Sequence, residues 1–204
     1  MAFLATGLLL GLSGGLSPGP VTTLVITHTL RHGFLEGTKI AIAPLVTDLP
    51  IVLGALFLFS RVSDIDAVLG VIAIVGAGYL FFLARETFRA GPIGADVRVE
   101  APRSLRLGLV ANLLNPNPYL FWTLVGAPTL YRAIDVGAAA TAAFLLTFYG
   151  GLVGGKIAFA VLAARSRAYL GGRAYRLTLK ALGLALGAFG LVFLWNGATY
   201  LGLR

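Results

Sequence analysis

The chain contains no cysteine and only two histidines in 204 residues. Disulfides, thiol redox chemistry and thiolate metal sites are thereby excluded. His28 and His32 stand four residues apart, but two imidazoles without a carboxylate cluster make a poor metal site, so neither a metal nor a cofactor is expected. Charge is scarce as well, at 12% of residues, where a soluble domain carries roughly 25%. No G-x-S-x-G, H-E-x-x-H or P-loop pattern occurs, which removes the usual hydrolases and any ATP-driven pump within this chain. The protein is not expected to be an enzyme. No Lys or Arg precedes Arg31, so the first apolar stretch lacks the positive region of a cleavable signal peptide and reads as retained.

What the chain has in quantity is apolar surface, with 58% hydrophobic residues and a mean hydropathy of +0.90. A membrane span takes about 20 mostly apolar residues, and six stretches qualify: 3–30, 38–60, 66–84, 107–130, 138–164 and 177–200. The expected fold is an all-α integral membrane protein forming a single transmembrane domain over 1–204. The separator 85–106 is the longest and most polar, and it divides the chain into repeat one (1–84) and repeat two (107–204). The net charge of +8 sits in short loops between spans, which fits topology signals better than a nucleic-acid face. Separators 31–37, 85–106 and 165–176 with their flanks hold 12 basic residues, against Arg61, Arg132 and Arg204 on the other side. Such an excess marks the cytoplasmic face, placing both termini outside.

Three spans per half is an odd number, so the second half runs inverted relative to the first. Ser17-Pro18-Gly19-Pro20 lies inside the first span and Asn115-Pro116-Asn117-Pro118 inside the fourth. Proline removes a backbone donor and clashes with the preceding turn, so helices 1 and 4 are expected to break there. Broken backbone survives in a bilayer only where protein packs it or a cavity adjoins it. Paired breaks in inverted halves point to a transport site near the midplane. After the first break, the new N-terminus with Thr22 and Thr23 suits an anionic group, although the threonines can equally bond their own helix. GxxxG pairs at Gly11/Gly15, Gly151/Gly155 and Gly183/Gly187 suit close helix packing.

Only two charges lie deep within spans. Asp48 sits mid-span between Pro44 and Pro50, where a charge costs about 2.5–3.5 kcal/mol. It reads either as a substrate-amine or proton site, or as an acid that fixes a break between the two prolines. Lys156, past the middle of the fifth span, can neutralise Asp48, contact a substrate carboxylate or reach an interface.

Six spans in about 200 residues, the Ser17–Pro20 motif, the mid-span Asp48 and Asn115-Pro116 followed by aromatics together resemble the LysE/RhtB amino-acid exporter family. The resemblance covers the whole chain in layout. It implies a secondary exporter of amino acids or related small metabolites across the bacterial inner membrane, driven by a proton or ion gradient. The family commonly has Asn-Pro-Lys where this chain has Asn117, and glycine where Thr47 precedes the acid. Its expected partners are a small-molecule substrate and membrane lipid, with a homodimer left open. Two alternatives stand beside this reading: a metal or inorganic-ion exporter on the same plan, and a non-transport membrane assembly subunit whose proline knots pack dry.

Overall fold

The computed structural model describes residues 2–58, 65–89, 103–167 and 172–203, and every regular element among them is helical. The first expected span is two helices, α1 (Ala2–Leu16) and α2 (Pro20–His32), bent by 61°. Pro20 opens α2 at its first position, where a missing N–H costs nothing. Gly33, at φ 98°, turns the chain into α3 (Phe34–Ala41), followed by α4 (Ala43–Leu58) and α5 (Ile65–Phe88). The fourth expected span is divided into α6 (Ser104–Leu113), α7 (Pro116–Phe121), a π-helical turn (Trp122–Gly126) and α8 (Ala127–Val136). Gly137, at φ 131°, leads into α9 (Ala138–Arg167), and α10 (Gly172–Tyr200) closes the chain. Glycine suits both turns because a Cβ disfavours positive φ.

Both expected breaks are present, between Leu16 and Pro20 and between Leu113 and Pro116. The expected separators were drawn too wide. Residues 34–37 and 131–136 are helical, since one positive-φ glycine completes each turn. Residues 85–88 and 104–106 are likewise helical, whereas 90–102 of the expected linker lie outside the described residues. So do Arg61 and residues 168–171 of the fifth separator. No break falls between Pro44 and Pro50: α4 runs through both prolines, with Pro50 in its interior. Four stretches, Phe34–Gly54, Asp66–Phe88, Ala138–Arg167 and Gly172–Tyr200, are long and apolar enough to cross a bilayer. The bent α1–α2 pair, taken as one span, is a fifth.

Glycine decides the packing of α1. It lies along α9 so closely that a Cβ at Gly151 would stand 3.0 Å from the Gly11 carbonyl carbon, and one at Gly155 would stand 2.8 Å from that of Gly15. Two of the GxxxG pairs therefore pack against each other within the chain. In lipid, where apolar side chains gain little by meeting, such backbone approach is a main source of helix association. On α10, Gly183 and Gly190 receive the rings of Phe88 and Phe81 from α5, while Gly187 faces open space. Leu177, Leu184, Leu191 and Trp195 form an exposed stripe on the other side of α10, as a lipid-facing surface requires.

Helix α2 occupies the middle of the bundle, with ten of its 13 residues buried. Val21, Leu24 and Val25 join Ile40 of α3, Ala111 of α6, Ala160 of α9 and Leu186 of α10 in the largest apolar cluster. This clustering fixes the start of α2, and with it the floor of the site described next.

Candidate functional site

The two breaks meet at one cavity of about 330 Å³. Ser17, Pro18, Gly19, Pro20 and Thr22 line it from the first break, and Asn112, Asn115, Asn117 and Pro118 from the second. Asp48 enters from α4 and Lys156 from α9. The sequence-predicted residues thus converge, with two exceptions. Pro116 is buried but is not part of the cavity wall, and neither is Thr23. Thr23 donates its hydroxyl hydrogen to Gly19 O at 2.9 Å, within its own helix turn. A β-hydroxyl one turn after a carbonyl commonly makes this bond, and Thr23 thus bonds its own helix backbone.

Thr22 behaves differently. Its hydroxyl donates to Ser17 O at 3.0 Å, across the break. The same oxygen lies 3.4 Å from Lys156 Nζ, which also donates to Gly14 O at 3.4 Å. A buried ammonium therefore sits at the carbonyl end of α1, where the helix dipole is negative. Asn115 caps the second break, its side-chain oxygen accepting from Asn117 N–H at 3.0 Å. Tyr119 Oη bridges that break by donating to Leu113 O at 2.9 Å.

Asp48 is buried and its carboxylate is held by neutral donors. Asn112 Nδ2 donates to Oδ1 and Trp122 Nε1 to Oδ2, each at 3.2 Å, and the Tyr149 phenol lies near the carboxylate. Asn112 also donates to Thr47 Oγ1 at 2.7 Å. No ion pair joins Asp48 to Lys156: the one salt bridge between described residues is Lys39–Glu36. Each deep charge is solvated by dipoles near a different break, and both face the same cavity.

Sequence reasoning missed Trp122 and Tyr149, and it missed the aromatic wall they belong to. Phe121 and Phe148 stack with ring centroids 5.1 Å apart, and Trp122 meets Phe148 edge-on at 5.4 Å. The π turn places Trp122: Gly126 lies directly under its indole, and a Cβ there would come within 2.9 Å of Cδ2. The available signal was the run of aromatics after Asn115-Pro116. Away from the cavity, His28 Nδ1 is hydrogen-bonded to Ser104 Oγ at 2.9 Å, which gives that histidine a packing partner.

The family model for the LysE type translocator matches residues 12–197, a range that contains both breaks, Asp48 and Lys156. The chain belongs to the LysE type translocator family. It is accordingly a multi-pass membrane protein of a transporter family, not of an enzyme family. The uncharacterized membrane protein YahN of Escherichia coli (strain K12) is 27% identical over 200 residues, covering 90% of this chain and 85% of YahN. No solved structure matches the chain.

Proposed function

We propose that this LysE-family translocator is a secondary exporter of amino acids or related small metabolites across the bacterial inner membrane, driven by a proton gradient through Asp48. The observation that carries the reading is the meeting of two broken helices at one cavity with an acid in its wall. Half-helix ends supply free backbone N–H and C=O groups at membrane depth, where continuous helices supply none. An assembly subunit would be expected to pack its breaks dry. A metal exporter would be expected to offer more ligands than the single carboxylate that lines this cavity among the described residues.

Contacts between helices support the inverted repeat. Helix α1 packs on α9, α4 packs on α6 and on the π turn, and α5 packs on α10. Exchanging the first stretch for the fourth, the second for the fifth and the third for the sixth maps the first two contacts onto each other and the last onto itself. Under that exchange Asp48, which bonds residues on both sides of the second break, is the counterpart of Lys156 at the first. In this reading both termini lie outside, and the loops around 31–37, 85–106 and 165–176 lie in the cytoplasm.

Asp48 can couple the gradient because a proton and a cationic group compete for one carboxylate. Protonation from outside releases the solute, and deprotonation inside readies the site for the next one. Asp48→Asn keeps the shape and, through its one carbonyl oxygen, one of the two N–H donors, but it cannot load a proton. It is expected to insert normally and to lose gradient-driven export, measured as solute accumulation in inverted vesicles under an imposed pH gradient. Undiminished pH-dependent accumulation by a well-expressed variant would overturn the coupling role.

A further inference from the structure

Among the described residues, the charged lining of the cavity consists of one carboxylate and one ammonium, and the two are not bonded to each other. Each retains capacity after its protein contacts. The ammonium has three hydrogens and makes two long contacts, to Gly14 O and Thr22 Oγ1. Beside it, α2 begins at Pro20, so the N–H groups of its first turn lack intrahelical acceptors and favour an anion. On the other side, each Asp48 oxygen accepts hydrogen bonds from neutral groups only, and Lys156 acts on it through space without touching it. The rest of the lining includes Leu10, Phe121, Val125, Phe148 and Leu152.

We propose that the cavity takes a net-neutral zwitterion with an apolar side arm, its carboxylate at Lys156 and the first turn of α2, its ammonium at Asp48. The proposal rests on the transport reading above and narrows it to one class of solute. A zwitterion satisfies both deep charges at once and leaves the site neutral. A third charge on the solute, as in a basic or acidic amino acid, has no charged partner in the lining and would be desolvated against rings and leucine side chains. The apolar arm instead removes its own surface from water against the aromatic wall.

Counterflow of radiolabelled L-leucine in vesicles reconstituted with the full-length protein tests this without a gradient, and so separates recognition from coupling. L-Phenylalanine is expected to compete with leucine, and L-lysine and L-glutamate to compete at least about tenfold more weakly. Two leucine fragments locate the poles. Isopentylamine lacks the carboxylate and 4-methylpentanoate lacks the amine; each should compete about tenfold or more less well than leucine in the wild type. Lys156→Gln should erase the preference for leucine over isopentylamine while keeping that over 4-methylpentanoate. Asp48→Asn should do the reverse. For a variant that does not turn over, protection of its melting temperature by the same compounds gives the same comparison. Lysine or glutamate competing as well as leucine in the wild type overturns the proposal, as does a reversed pattern in the variants. Wild-type vesicles that exchange no amino acid of any charge overturn the transport reading itself.

Discussion

At the scale of single residues, the site is a set of charges held by dipoles. Trp122 is a fully buried donor to Asp48, and replacing its indole by a phenyl ring removes both the N–H and part of the packed volume. Trp122→Phe deletes one hydrogen bond to a buried carboxylate, an interaction of about 1.5–3 kcal/mol. It is therefore expected to lower both the melting temperature and solute affinity, whereas Tyr119→Phe, on the rim of the second break, should weaken stability alone. Thermal unfolding in detergent and counterflow in vesicles read the two effects separately. Asp48 and Lys156 were legible in the sequence because a charge inside an apolar stretch stands out. Their lack of direct contact was not legible, since it depends on which helices lie side by side. Trp122 escaped for a different reason: a tryptophan among apolar residues gives no sign that its N–H has a particular acceptor.

At the scale of elements, prolines and glycines set where helices stop and how near they lie. The breaks at Pro18–Pro20 and Pro116–Pro118 could be read directly, because proline's effect on a helix is local. The π turn could not, since nothing in Trp122–Gly126 differs from a helical sequence. Gly126→Ala places a methyl group against the Trp122 ring, and we expect it to shift the indole from Asp48 and weaken solute binding. The interlock of α1 with α9 gives a sharper contrast. Gly11→Val drives side-chain atoms into the backbone of α9 and is expected to destabilise by about 3 kcal/mol or more, the upper range of overpacking. Gly187→Ala meets nothing within 4 Å and should leave the melting temperature within a degree or two. Sequence spacing alone does not separate these glycines, because both belong to GxxxG pairs.

At the scale of the whole molecule, the all-helical membrane character was legible because bilayer thickness acts on composition rather than on detailed packing; of the six stretches read from composition, four stand as long apolar helices among the described residues and the bent α1–α2 pair makes a fifth. Span ends were read less well, since helices continue past the apolar core until a glycine turns them. The absence of cysteine makes the orientation straightforward to measure. A single cysteine at Ala95 is expected to react with an impermeant maleimide only in inverted vesicles, and one at Ala138 only in right-side-out vesicles. Labelling of Ala95→Cys from the outside would reverse the assignment.

Under the proposed transport function, the position of Lys156 has an energetic consequence for which ion drives the cycle. Many membrane sites at the carbonyl end of a broken helix hold a dissolved cation, which arrives from one compartment and departs to the other. Here the positive charge at that end is covalently attached to α9. A tethered ion cannot cross from one bath to the other, so its concentration difference does no work. Replacing sodium by choline on both sides should accordingly leave transport unchanged, and the whole dependence on external ions should fall on pH.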